Sequence, residues 1–296
     1  AGLALIHRRL AIVGLSTAGM QPMKCSTGRY VISYNGEIYN HRILRAELED
    51  RGITGWRGHS DTETLLALIH HCGFAEALRR CVGMFALALW DRQERKLYLA
   101  RDRMGEKPLY FGQQGGSFLF ASELKALRLH PHWQGEIDRD AITLLMRHNY
   151  IGAPYCIYRD MQKLLPGHYL TVSDSGRTIS EQTCYWSLEA SVQAGQNQPF
   201  VGSIEDATDA LEHLLMDAIG LQMEADVPLG AFLSGGYDSS TVVALMQAQS
   251  DLPVRTFSIG FHEQRYNEAQ HAKAVATHLK TGHTELYVSS ADAMAI

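Results

Sequence analysis

The feature that most constrains this chain is a change of pattern on either side of Ser191–Ser203. Before it, short apolar stretches alternate with turn residues. After it, helix-length and strand-length apolar runs alternate. The segment itself, SVQAGQNQPFVGS, is polar and carries Gly, Gln and Pro, which reads as a linker. Two such patterns point to two domains, and 296 residues is the length of two.

In the first part, Tyr30–Tyr34 alternates toward Asn35–Gly36, the strongest short signal for a hairpin turn. Phe85–Trp90 and Lys96–Ala100 read as strands joined by the charged loop DRQER. Leu109–Phe111 and Ser117–Ala121 bracket GQQGG, another turn. The spacing predicts helices at His41–Asp50, at Asp61–His71 with Ser60 or Asp61 as cap, and at Arg139–His148. Hairpins mixed with helices give an α+β domain. The second part predicts a helix over Ile204–Met223 and strands at Leu229–Leu233, Val254–Ile259 and Glu285–Val288. Helices at Ser239–Gln249 and Glu268–Leu279 separate those strands. That is β-α-β-α-β, the grammar of a parallel sheet. Such a sheet needs cover on both faces, and with three strands this one reads as unfinished. The chain begins in mid-pattern at Ala1 and stops at Ile296, just after SSADAM, where Ser290 reads as a helix cap. Both ends read as cut.

Composition excludes several classes. A net charge of −5 without a long basic run disfavours nucleic acid. No apolar run is long enough to cross a bilayer, and no signal peptide opens the chain. The five cysteines, Cys25, Cys72, Cys81, Cys156 and Cys184, form no C-x-x-C pair, so neither a zinc site nor a disulfide framework is expected. Cys72 and Cys81 read as buried filler. His70 and His71 are neighbours on a helix, face apart, and make a poor metal pair. A soluble protein of a reducing, cytoplasmic compartment is the expectation.

The chemistry concentrates in LSGGYDSS, Leu233–Ser240. A strand, a glycine turn and a helix start leave backbone N–H groups pointing outward, which favours an anion. Gly235 and Gly236 carry no Cβ to keep a phosphate off the backbone. Ser234, Ser239 and Ser240 add hydroxyl groups. Asp238 repels a phosphate unless Mg²⁺ bridges the two. No Lys follows the glycines, so the loop is not of the G-x-x-x-x-G-K-[ST] type. The plainer alternative is a tight Gly-Gly turn with Ser239 as cap.

SGGYDSS resembles the S-G-G-x-D-S-[ST] loop of the ATP pyrophosphatases, which adenylate a substrate and release pyrophosphate. The first half narrows the resemblance. HRRLAIV, YNGEIYNH, GHSDTE, LARDRMGEKPLYF and FASELKAL occur in order and look like the glutaminase domain of glutamine-hydrolysing asparagine synthetases. VPLGAFLSGGYDSS, TFSIGF and NEAQHA match the synthetase domain of the same family. The resemblance implies an N-terminal-nucleophile αββα sandwich at 1–187, a linker at 188–203 and an α/β parallel-sheet ATP-pyrophosphatase domain at 204–296. It implies a C–N ligase that uses glutamine, aspartate and ATP with Mg²⁺, and it leaves room for a homodimer.

A glutaminase must hold a free amino acid and stabilise an oxyanion. Arg9 suits the α-carboxylate, while Glu37 and Asp61 suit the α-ammonium. The resemblance adds Leu10 and Ile12 to the glutamine pocket and gives the Asn35 side chain and the Gly36 N–H to the oxyanion hole. It places backbone contacts to adenine at Leu233 and Ile259, and the metal at Asp238. Each residue also has a bland reading: Arg9 as a surface charge, Asn35–Gly36 as a turn, Asp61 as a cap. ARDRMGEKPLY reads as structural, its charges pairing around a hairpin. Gly14 and Asn267 stand where the family commonly has Asp. The family's nucleophile is an N-terminal cysteine, which these residues do not include, so glutamine hydrolysis by them alone is not expected. Two other readings remain: an amidotransferase with another carboxylate acceptor, such as a sugar acid or peptide, and a non-catalytic relative.

Overall fold

The computed structural model describes residues 2–295 apart from residues 264 and 266. Ala1 and Ile296, read above as cut ends, lie outside the described residues. The chain divides into two compact units at Pro199 and Phe200.

Unit 1 begins with irregular chain, then β1 (Met23–Lys24), β2 (Tyr30–Ile38), α1 (His41–Asp50), α2 (Asp61–Cys72) and α3 (Phe74–Arg80). There follow β3 (Gly83–Asp91), β4 (Lys96–Arg101), β5 (Tyr110–Gln114), β6 (Ser117–Ala121), α4 (Leu124–Leu127) and α5 (Arg139–His148). It ends with β7 (Met161–Lys163), β8 (His168–Ser173), β9 (Thr178–Ile179), β10 (Thr183–Cys184) and α6 (Leu188–Asn197). The larger sheet runs β1-β2-β3-β4-β8-β10, with β9 on β8, and the smaller runs β6-β5-β7. Strand alternation assigns the faces. Phe85, Leu87 and Leu89 of β3 pack with α1, α2 and α3, while Ala86 and Ala88 turn to the second sheet. Beyond that sheet, Leu119 and Met161 pack against Leu127 of α4. The layers are therefore αββα, as the resemblance implies.

Two readings change here. Asn35–Gly36 is not a hairpin turn. β2 runs straight through it, and its residues pair one for one with β3 from Tyr30↔Asp91 to Ile38↔Gly83. A long-range ladder along the whole strand outweighs a two-residue turn preference. Gly36 is needed for the close approach of β3: a Cβ there would meet the Met84 carbonyl and stand 2.6 Å from Phe85 Cα. The segment read as a linker is mostly α6, whose cap Ser187 accepts from the Ala190 N–H. Its residues are largely exposed, so propensity and a cap rather than burial make it helical.

Unit 2 contains α7 (Ile204–Gln222), β11 (Gly230–Phe232), α8 (Tyr237–Ala248), β12 (Arg255–Phe261), α9 (Ala269–Leu279), β13 (Gly282–Val288) and α10 (Ser290–Met294). The strands are parallel in the order β11-β12-β13. Thr256, Ser258 and Gly260 of β12 lie buried, and small residues of α9, Ala269, Ala272 and Ala276, let that helix come close. The opposite face is open: Phe232 is 81 % and Leu286 62 % exposed. The sheet is covered on one face by the described residues. The cap of α10 is Ser289, in a capping box with Asp292, rather than Ser290. No helix of the described residues is long and apolar enough to cross a membrane.

Candidate functional sites

In unit 1 two of the expected glutamine-site residues, Arg9 and Asp61, stand at the ends of a strip that runs through residues 13–16 and Ser60. Arg9 donates through Nη2 to the carbonyls of Val13 and Gly14, at 2.9 and 2.6 Å, and through Nη1 more weakly to Ser16 O at 3.5 Å. Its guanidinium thus shapes residues 13–16 into a loop. Gly14, at φ +71°, sets that loop against Ser60, whose Cβ lies 2.9 Å from where a Gly14 Cβ would be. The Asp of the family pattern would not fit there. Next along the strip is Asp61, buried in the first turn of α2. Its carboxylate accepts from the Tyr34 hydroxyl at 2.8 Å, the Ile38 N–H at 3.0 Å and the Thr62 N–H at 2.7 Å. Burial, then Asp61 beside it, holds the Tyr34 hydroxyl well above the ordinary tyrosine range. The cap of α2 is Ser60, which accepts from the Glu63 N–H, and not Asp61; Asp61 ties α2 to β2.

Asn35 and Gly36 sit opposite Ala86 and Phe85 across the ladder. The Asn35 amide donates to Ser122 Oγ at 3.1 Å. An amide nitrogen has two hydrogens, so one remains for a ligand oxygen. Glu37 is nearly buried. Leu10 is 85 % exposed and Ile12 partly buried, both on irregular chain. Two contributors were not read from sequence: Ser122, which orients Asn35, and Gln21, whose Oε1 accepts from the Tyr34 N–H at 2.7 Å. Ser122 lies inside FASELKAL, which signals the segment but not the partner.

The charges of ARDRMGEKPLY are expected above to pair around a hairpin; instead the side chains of Arg101, Asp102 and Arg103 bind backbone groups. Asp102 is fully buried and accepts from the N–H groups of Phe85 (3.1 Å), Glu106 (2.9 Å) and Lys107 (2.9 Å). Arg101 donates to the carbonyls of Gly105, Lys107 and Leu164. Peptide groups turned inward must be satisfied, and side chains do so here. Burial pushes the Cys81 thiol up to about 12, which suits filler and not a nucleophile. His70 and His71 do not face apart: their rings meet edge to face at 5.0 Å. Among the described residues no group of three or more His, Cys, Asp or Glu could hold a metal ion.

In unit 2 the glycine loop runs from β11 into α8. Gly236 is the cap residue, and no side chain caps the helix. The helix starts at Tyr237, so Asp238 lies in its first turn and Ser239 is not the cap. An acid in a first turn is favourable in itself. The two glycines differ. Gly235 has φ +84°, and a Cβ there would stand 2.7 Å from Ala272 N and His271 Cβ, so it serves the approach of α9. A Cβ on Gly236 would meet only Ser234 Oγ, at 3.5 Å. Gly236 alone therefore presents bare backbone outward. Ser234 Oγ and Ser239 Oγ are 2.9 Å apart, and Ser239 Oγ also accepts from the Ser234 N–H. The Ser240 hydroxyl is buried and has no partner. Asp238 is exposed.

The Leu233 N–H donates to Phe257 O at 2.9 Å, and Leu233 O accepts from Ser258 Oγ at 2.6 Å. Both backbone groups of Leu233 are therefore engaged inside the chain. Ile259 is different. A parallel ladder alternates its sides, so Phe257 and Ile259 both turn backbone groups toward β11. β11 ends at Phe232, opposite Phe257, so those of Ile259 face the loop beyond it.

Fold and sites together define a two-unit class: an αββα unit with a polar strip, and a parallel sheet with a glycine loop at a helix start. Residues 1–186 match the family described as glutamine amidotransferase domain, and residues 210–296 the family described as asparagine synthase. A putative glutamine-hydrolysing asparagine synthetase of Methanocaldococcus jannaschii is 35 % identical over 98 % of this chain and 57 % of its own length. One of Bacillus subtilis is 36 % identical over 87 % of this chain and 41 % of its own. An amidase of Gibberella zeae is 34 % identical over 81 % of this chain and 34 % of its own. The chain belongs to the glutamine-hydrolysing asparagine synthetase family, with a glutamine amidotransferase domain followed by an asparagine synthase domain. It spans about half, or less, of the length of these relatives.

Proposed function

We propose that the protein makes an amide from aspartate, with glutamine as the nitrogen donor and ATP as the activating substrate. The observation that carries this reading is the loop at Ser234–Ser240. It joins an uncapped helix start, an outward-facing Gly236 and an orphaned Ser240 hydroxyl in a chain of this family. In this reading the pyrophosphate of ATP lies on the N–H groups after Gly236, with Ser234, Ser239 and Ser240 at its oxygens. Ile259 offers its backbone to the adenine edge, and Leu233 contributes the second lone pair of its carbonyl. Asp238 is the loop's only acid. That suits Mg²⁺, which binds through one or two carboxylates together with substrate phosphates. When bound it would offset pyrophosphate charge.

The β-carboxylate of aspartate attacks the α-phosphorus of ATP and pyrophosphate leaves. Ammonia then attacks the acyl carbon of the aspartyl-adenylate and AMP departs. Ammonia comes from glutamine in unit 1, where Arg9, Leu10, Ile12, Glu37 and Asp61 hold the amino acid. Asn35 Nδ2 and the Gly36 N–H receive the oxyanion. The attacking thiolate in this reading is the family's N-terminal cysteine, supplied by the complete gene product. We propose the same division into domains as above: 1–187, 188–203 and 204–296. A homodimer in the cytoplasm is part of the proposal.

A second reading is favoured by one observation: the amidase of Gibberella zeae is about as similar to this chain as the asparagine synthetases are. In it the acceptor is a different carboxylate. AMP release by the complete gene product, assayed with aspartate and with a panel of other acids, separates the two. AMP formed with aspartate supports the first reading. AMP formed only with another acid replaces it. No AMP with any acid, alongside retained glutamine binding, favours a non-catalytic protein.

A further inference from the structure

Behind the loop lies a chain of hydrogen bonds that neither proposed site uses. Thr281 Oγ1 and Thr256 Oγ1 are 2.9 Å apart, and Thr256 Oγ1 lies 2.9 Å from His283 Nδ1. His283 Nε2 is 3.4 Å from Ser258 Oγ, which donates to Leu233 O at 2.6 Å. Thr256 is fully buried and Ser258 nearly so. The only hydrogen on Ser258 Oγ is given to Leu233, so His283 must approach that oxygen as a donor through Nε2–H. In neutral imidazole the Nδ1 atom then accepts from Thr256, and Thr256 accepts from Thr281. Every hydroxyl has a partner and the bonds run in one direction, from the α9–β13 turn to the residue that opens the loop. Glu285 stands beside the middle of the chain of hydrogen bonds, 3.9 Å from His283 Nε2 and farther than Ser258 Oγ, while it pairs with Lys273 at 3.5 Å and accepts from the Tyr287 hydroxyl at 3.1 Å.

We infer that His283 is a positioning residue for the glycine loop, acting through Ser258 on the Leu233 carbonyl. The inference rests on the reading of that loop as a pyrophosphate site. The Leu233 carbonyl is the last backbone group before Ser234, and Gly235 and Gly236 add no side-chain anchor of their own. Fixing that carbonyl fixes where the N–H groups after Gly236 point. His283 touches no substrate in this arrangement.

The test compares the chain with His283→Ala, His283→Gln, Ser258→Ala and the His283→Ala/Ser258→Ala pair. Each is measured for magnesium pyrophosphate affinity by calorimetry and for amide hydrogen exchange at Ser234–Gly236 without ligand. Losing one hydrogen bond of ordinary strength corresponds to a loss of about three- to tenfold. His283→Ala and Ser258→Ala are each expected to weaken binding by about that factor and to speed loop exchange. The double variant is expected to be no worse than Ser258→Ala, because both act through one link. His283→Gln, whose amide can still donate near Nε2, is expected to recover most of the affinity. Thermal melts identify any variant that fails to fold, and the Gln variant then carries the test. Unchanged loop exchange in His283→Ala, or additive losses in the double variant, overturns the inference. Faster loop exchange in a chain whose parent binds no magnesium pyrophosphate supports the positioning role and overturns the pyrophosphate reading instead.

Discussion

Asp102 and Asp238 are the same residue beside a glycine-bearing turn, put to opposite uses. Asp102 is fully buried in unit 1 and gives its oxygens to three backbone N–H groups. Asp238 is exposed in the first turn of α8 in unit 2. The first carboxylate replaces missing peptide partners and so holds a turn against β3. The second is free for a ligand, in a helix start with no side-chain cap. The two differ in whether backbone donors have already claimed the carboxylate; Asp61, proposed above for glutamine, is also held by the N–H groups of Ile38 and Thr62 and so is open to a ligand only in part.

The largest expected effect comes from breaking the buried partner. Asp102→Ala leaves the buried Phe85 N–H and the part-buried N–H groups of Glu106 and Lys107 without their partner; at about 1–3 kcal/mol for the buried one and less for the others, unit 1 is expected to lose about 3 kcal/mol. Urea unfolding followed by tryptophan fluorescence reads this, and a loss under about 1 kcal/mol would break the comparison. Asp238→Ala is expected to change stability by less than about 0.5 kcal/mol.

The glycines sharpen the same contrast. Gly235→Ala places a Cβ at positive φ against α9 and is expected to cost about 1–3 kcal/mol. Gly236→Ala is expected to leave stability nearly unchanged and to weaken magnesium pyrophosphate binding by about tenfold or more, since its Cβ enters the phosphate's space. The reverse pattern would exchange the roles assigned to the two glycines.

A smaller effect depends on pH. Burial raises the Asp91 carboxyl, but hydrogen bonds from Arg29 and from the N–H groups of Glu94 and Gln93 outweigh it and hold it below its ordinary value. A depressed carboxylate stabilises the fold above its unfolded value, near pH 4, and that contribution is lost as pH falls through the folded value. Asp91→Asn is expected to cost about 1–3 kcal/mol at pH 7, and the difference from the parent is expected to shrink in acid. Urea midpoints from pH 7 to pH 3 test it; a constant difference across that range contradicts it. Smallest of all is a kinetic ordering. Exposed Cys184 is expected to alkylate first with iodoacetamide and buried Cys81 last. Mass spectrometry of partly labelled peptides reads the order, and early labelling of Cys81 would contradict its role as filler.

Much of the fold was legible because its ends are marked locally. The predicted helix at Arg139–His148 matches the structure at both bounds: Asp138 caps its start, and Asn149 adopts a left-handed conformation just past its end. The parallel grammar of unit 2 was legible for a similar reason, with each strand bounded by turn residues. The errors lie where distant partners decide. Asn35–Gly36 is a turn by local preference and a strand by its pairing with residues some fifty positions away. α3 is short and opens at Gly73, so no periodic signal precedes it. The candidate sites divide in the same way. SGGYDSS and YNGE announce themselves as contiguous motifs. Ser122, Gln21, Ser258 and His283 act on those motifs from far along the chain, and one side chain in a strand or turn leaves no pattern.

The central claim is that Asp238 marks a pyrophosphate site that works through a metal. Calorimetric titration of pyrophosphate into the chain, with and without Mg²⁺, for the parent and for Asp238→Asn, tests it most directly. The parent is expected to bind pyrophosphate at least about tenfold more tightly with Mg²⁺, because bridging would offset the repulsion. Asp238→Asn is expected to lose that dependence. Pyrophosphate binding that ignores Mg²⁺ in both proteins, or no binding by the parent, would contradict it.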